Sequence, residues 1–230
     1  MDAKRFARIS VARRGTLLAL LLAAATGSAE VPDGFAPVVD GGPVRTIAIQ
    51  SDGAIVFGGG FSTVDGEPRN GLARVRTDGA LDESYAPLDG QPAKDVHEVA
   101  VQFDGRLLYT TTLGANVLRL HPDGSADATW IGRECVGPQF ALQADGKVVA
   151  PDACSGPDDP PLAMERLLPD GTLDTGFAAP TRTPGSKVTA IFARADGKII
   201  FVGDFQKIGN ANRPDIMRLM PSGQADPSPI

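Results

Sequence analysis

The chain has 230 residues, 42% of them hydrophobic and 6% aromatic, and carries a formal net charge of −6. That acidity argues against nucleic acid as a partner, because phosphates require a basic face. The length gives one domain room for a sizeable core.

The first 29 residues read as a secretory leader. Lys4, Arg5, Arg8, Arg13 and Arg14 form a basic stretch, and an apolar run, TLLALLLAAA, follows from Thr16 to Ala25. Small residues, Gly27 and Ala29, stand where a signal peptidase reads. The apolar run falls well short of the roughly 20 residues of a spanning helix. An uncleaved anchor is the alternative, and the Arg13-Arg14 pair loosely fits the twin-arginine route. Cleavage after Ala29 removes five basic residues and one acid, taking the net charge from −6 to −10. The expectation is an extracytoplasmic chain, secreted or periplasmic, with no stable membrane insertion after cleavage. Cations or basic partners would be drawn to it.

Residues 30–230 repeat. A first Asp-Gly recurs at Asp52, Asp104, Asp145 and Asp196, and a second at Asp78, Asp123 and Asp170, with Ser222-Gly223 in the fourth place. A period near 50 calls for a repeat architecture. Around each first turn lie two apolar runs, such as VRTIAIQ and AIVFGGG, or VTAIFAR and KIIFVGD. Asp-Gly between such runs is a hairpin signal. A third run follows (LARVR, NVLRL, AMERL, IMRLM), then the second turn and a short fourth segment. The expected fold is all-β and β-propeller-like: four repeats of about 50 residues, each a four-stranded antiparallel blade. A sandwich with coincidental turns is the alternative.

Two further positions keep this register. Arg74, Arg119, Arg166 and Arg218 precede the second turn by four residues, and Asp82, Asp127, Asp174 and Asp226 follow it by four. Folded about the turn they face each other, and opposite charges there stabilise a hairpin by roughly 0.2–1 kcal/mol. A ring of ion-binding Asp residues is the functional alternative. An aromatic follows three residues after that Asp in three units, as Tyr85, Trp130 and Phe177. The fourth unit lacks it, whereas Phe35 lies 50 residues before Tyr85. The spacing suggests that the N-terminal segment supplies the outer strand of the last blade and closes a ring.

This pattern resembles the delta-60 repeat family of bacterial exported proteins. AIQSDGAIVFGGGFSTVDGEPRNGLARVRTDGALDESY, from Ala48 to Tyr85, and ADGKIIFVGDFQKIGNANRPDIMRLMPSGQAD, from Ala195 to Asp226, carry the likeness. The middle units are shorter and lack the Gly-Phe segment. The resemblance covers residues 31–230 and implies a propeller-like fold outside the cytoplasm. It implies no catalytic residues. Kelch repeats share the double glycine, but only the first unit has it.

Candidate chemistry is sparse. Cys135 and Cys154 are the only cysteines and fall nearly opposite each other about Asp145-Gly146. An oxidising compartment would join them as a cross-strand disulfide; free thiols are the alternative. His97 and His121 lie in no nucleophile motif. The acidic stretch with Asp152, Asp158 and Asp159 lacks EF-hand spacing, and no cofactor or metal is expected. Loops 62–71 and 206–215 occupy the same blade position, 144 residues apart. Asp65, Glu67, Arg69, Asn70, Asn210, Asn212, Arg213 and Asp215 form the candidate ligand-facing set; solvated hairpin loops are the alternative. The expected function is an exported binding or scaffolding module for a protein, a glycan or a cell-envelope surface, as a monomer or a homodimer. The alternative is an exported hydrolase or lyase using carboxylates in the propeller channel.

Overall fold

The computed structural model describes residues 35–85, 87, 95–112, 116–134, 136–153, 162–183, 185–209, 211–212 and 215–228. The leader, Cys135, Cys154, Asp158, Asp159, Asn210 and Arg213 lie outside them, and of Asn212 only the backbone is described. Among the described residues every regular element is a strand, and no helix is long and apolar enough to cross a membrane.

Each repeat forms one antiparallel sheet of three strands. Blade 1 holds Val44–Ile49, Ile55–Gly59 and Leu72–Val75; blade 2 holds Val96–Val101, Leu107–Thr111 and Leu118–Leu120. Blade 3 holds Ala141–Leu142, Val148–Ala150 and Glu165–Leu167; blade 4 holds Val188–Ala193, Ile199–Gly203 and Ile216–Leu219. The fourth segment touches its sheet through one bridge only, Val75 to Leu81 in blade 1 and Leu219 to Ala225 in blade 4. It ends there because the following Asp curls the chain. Asp82 Oδ1 accepts from the Ser84 amide at 3.1 Å, and Asp127 Oδ1 from the Thr129 amide at 2.9 Å. Such an Asx turn replaces the ladder.

The repeated Asp-Gly differs from a two-residue hairpin turn. The eight turn glycines have φ between +78° and +95°, while the residue before each, Asp in seven and Ser222 in the eighth, stays out of the left-handed region. Gly53 N–H donates to the Gln50 carbonyl at 3.0 Å, and Asp52 Oδ1 accepts from the Ala54 amide at 3.0 Å. Only the Gly must be left-handed; the Asp serves as an acceptor.

The core lies between blades. Val56, Leu72, Val96 and Val99 pack across the junction of blades 1 and 2, Leu108, Val117, Phe140 and Val148 across blades 2 and 3, and Ala141, Val149, Val188 and Ile191 across blades 3 and 4. Each aromatic of the fourth segment crosses to the next blade: Tyr85 to blade 2, Trp130 to blade 3, Phe177 to blade 4. A Cβ on Gly171 would stand 2.9 Å from the Trp130 ring, so the turn glycine also makes room for its lid.

The expected Arg–Asp pairs form in all four units, at 2.7 to 2.8 Å. Three do more. Arg74, Arg119 and Arg166 lie over the rings of Tyr85, Trp130 and Phe177 at 4.3 to 4.6 Å. Their Nη1 atoms donate to the carbonyls of Pro122, Pro169 and Pro221 on the next blade, at 2.6 to 2.8 Å. Each guanidinium therefore fastens its blade to its neighbour with charge-assisted bonds and a ring contact.

The N-terminal segment differs from expectation. Phe35 lies against the second turn of blade 1, in the place that the preceding blade's aromatic fills elsewhere. Val39 and Asp40 pair with Val64 and Thr63. Blade 4 already has its own fourth segment at Ala225, so it needs none from the N-terminus.

Candidate functional site

Strand direction sorts the molecule into two ends. The first and third strands of every blade run one way and the second runs back. All eight Gly turns therefore fall at one end. The links from second to third strand, and from blade to blade, fall at the other, the loop end. Binding residues on a rigid scaffold concentrate on such loops.

Of the candidate set, Asp65 and Gly66 form the two-residue turn of a hairpin, Thr63–Val64 against Glu67–Pro68. Both have positive φ, 51° and 82°, the requirement of a type I′ turn. Asp65 Oδ1 also accepts from the Val38 amide at 2.8 Å, tying the hairpin to the N-terminal segment. Glu67 is exposed; Arg69 is buried, with Nη1 donating to the Pro68 carbonyl at 2.7 Å. Asn70 is half-buried. In blade 4 the matching hairpin pairs Lys207 with Asn212, and Asp215 is exposed at φ 69°. The two hairpins stand on the first and last blades, and no described contact joins them.

Sequence reasoning missed a second cluster at the loop end. In three blades the first two strands slip register after one pair, between Val44 and Thr46, Val96 and Glu98, and Val188 and Ala190. The extra residues are Arg45, His97 and Thr189. A bulge of this kind re-aims its side chain. Arg45 grips Asp95 with two bonds, 2.6 and 2.9 Å, across the junction of blades 1 and 2. That hydrogen bonding holds the Asp95 carboxyl below its ordinary range, against a smaller desolvation cost. His97 is half-buried, and its Nδ1 is buried without a hydrogen-bond partner. Burial, with Arg45 adding to it, lowers the His97 titration and favours neutral imidazole. Burial raises the neighbouring Glu98 carboxyl. The shared strand position of Arg45 and His97 was visible in the alignment; the bulge was not.

Blades 3 and 4 offer a different set. Arg133 grips Glu165 at 2.7 and 3.0 Å. Asp152 Oδ2 accepts from the Leu162 amide at 3.2 Å, and its carbonyl from Arg182 at 3.0 Å. Asp204 accepts from the Lys187 amide. Among the described residues, no group of three or more His, Cys, Asp or Glu is placed to hold a metal ion.

Residues 50–85 and 194–228 match the family described as "Domain of unknown function (DUF5122) beta-propeller". No curated protein sequence matches the chain. Among solved structures the chain is similar to virginiamycin B lyase from Staphylococcus aureus, at 16% identity and TM-score 0.48, covering 81% of this chain and 56% of that one. A streptogramin B lyase gives 16% identity and TM-score 0.51, covering 79% and 56%. A gluconolactonase from Xanthomonas campestris gives 14% and 0.50, covering 79% and 60%. The chain thus spans little more than half the length of these structures. Identities this low speak to fold alone. The described residues are all-β and propeller-like, and stretches of the first and fourth units match the DUF5122 beta-propeller family.

Proposed function

We propose that the chain is an exported, non-catalytic binding module that offers its loop end to a protein, a glycan or a cell-envelope surface. Export rests on the composition of residues 1–29. The observation that carries the binding reading is how the loop-end carboxylates are engaged. Asp95 and Glu165 are each gripped by an arginine, and Asp152 and Asp204 each accept from a backbone amide. Carboxylates engaged in this way by the protein's own donors are committed to structure. They do shape a fixed surface of mixed charge on a rigid frame.

One observation favours a second reading, an exported hydrolase or lyase: half-buried Glu98, its carboxyl raised by burial, follows half-buried His97, whose titration burial lowers. Enzymes use such shifted groups. The test is a thermal-shift screen of the full chain against calcium, a chelator, polysaccharides and envelope fragments, paired with lactone-hydrolysis and lyase assays. A saturable rise in Tm with one class, reduced by Arg45→Ala, supports the binding reading. Turnover abolished by Glu98→Gln would replace it with the enzyme.

A further inference from the structure

Blade stacking in this protein is directional. At each internal junction one blade presents its following face and the next presents its preceding face. The apolar positions on those faces recur, so blades 1 and 4 can be compared with their interior equivalents. On the preceding face, Val99, Phe140 and Ile191 are 5%, 5% and 9% exposed, whereas their blade 1 equivalent, Ile47, is 47% exposed. Ile49 beside it is 55% exposed. On the following face, Leu72, Val117 and Met164 are 1% exposed or less, whereas their blade 4 equivalent, Ile216, is 39% exposed. Blades 1, 2 and 3 carry Ala48, Ala100 and Ala141 at a position where blade 4 has Phe192, which is 58% exposed.

The arc therefore ends in two apolar faces of opposite type: on blade 1 the first strand is uncovered at Ile47 and Ile49 while Phe35 and Val39 pack against the rest, and on blade 4 Phe192 and Ile216 are uncovered. Contiguous apolar surface of this kind marks an interaction site, and aromatic side chains are enriched at the centres of interfaces. Blades 1 and 4 of one chain do not cover each other here. We infer that the occupant of both faces is a second copy of this chain, its blade 4 stacking on blade 1 of the first and its blade 1 receiving blade 4. The mode repeats the three junctions already present within the chain. It is a heterologous contact that closes after two copies, and eight blades lie within the propeller range. The second copy would continue the loop end that carries Arg45 and His97. This inference goes beyond the binding reading and is tested by mass rather than by ligand.

The experiment is light-scattering mass measurement of the purified full chain. Three variants accompany it: Ile47→Glu with Ile49→Glu, Phe192→Glu, and Ile131→Glu, whose exposed side chain lies outside the end faces. The expected result is a dimer for the parent and for Ile131→Glu. The other two are expected as monomers that keep the parent's circular dichroism spectrum. Mixing those two monomers should restore a two-chain species, because one of its two junctions is then unmutated on both sides. A monomeric parent at every soluble concentration overturns the inference. So does a dimer broken by only one of the two end-face variants, which would mean like faces pairing. A mass that grows without limit overturns the closed ring.

Discussion

The turn end and the loop end of this molecule are built on opposite rules. At the turn end every blade repeats one device: a left-handed glycine, an Asp acceptor and an Arg–Asp pair, completed by an aromatic in all but the last. At the loop end the backbone recurs in part, as a bulge in three blades and a matching hairpin on two, but the side chains set out there differ. Arg45 bridges to Asp95, His97 stands half-buried, Arg133 holds Glu165, and among the described residues the two hairpins stand on blades 1 and 4. Repetition marks what each stacked unit requires of its neighbour. Divergence marks positions released from that requirement, where recognition can reside.

The comparison predicts that damage at the turn end unfolds the protein and damage at the loop end does not. Trp130→Ala should have the largest effect, about 4 kcal/mol of stability in a urea titration, because it leaves a cavity over blade 3. Arg119→Ala should follow at about 3 kcal/mol, since it leaves the buried Asp127 with the longer Arg106 contact at 3.2 Å as its arginine pair and removes the tie to Pro169. Acid should act on the same device. The Thr129 hydroxyl, with its amide and Arg119, holds the Asp127 carboxyl well below the usual carboxylate range despite desolvation. Lys198, with the Ser228 amide and Arg218, does so for Asp226. A depressed folded value gives stability that is full above the unfolded value and is lost as pH falls toward the folded one. Urea midpoints should therefore decline below about pH 4, and Asp127→Asn should flatten that decline.

Two glycines sharpen the contrast. Gly171→Ala puts a Cβ 2.7 Å from the Gly132 amide nitrogen and 2.9 Å from Trp130, and should cost about 2–3 kcal/mol. Gly66→Ala, at nearly the same φ but with open space around it, should cost about 1 kcal/mol from backbone strain alone. Equal losses in thermal melts of the two would break the comparison. The smallest effect is expected from Arg45→Ala. Its pair is partly exposed, so less than about 1 kcal/mol should be lost.

What was legible in the sequence is what recurs. The turns, the Arg–Asp pairs and the aromatic lids could be aligned because each is written as a side chain four times or nearly so. The third partner of the arginines was not legible, because a carbonyl has no letter of its own. Pro122, Pro169 and Pro221 do recur before the second turn, and that signal was available. Phe35 was read correctly as a repeat of the aromatic. Its spacing could not tell that the C-terminal residues around Ala225 already complete blade 4. The fourth strand proved too short because Asp82 and its equivalents serve two ends at once, pairing with arginine and turning the chain. At the loop end the bulges that set out Arg45 and His97 arise from pairing register, which no local pattern encodes.

The arginine bond to the following blade gives the arc a direction in time. Arg74 waits for a carbonyl 48 residues downstream, Arg119 for one 50 downstream, and Arg166 for one 55 downstream. A chain that emerges N-terminus first thus finishes each blade only when the next arrives, and no contact of this device has to wait for the far end. Assembly proceeds like a row of buttons, each fastened by the piece of cloth after it.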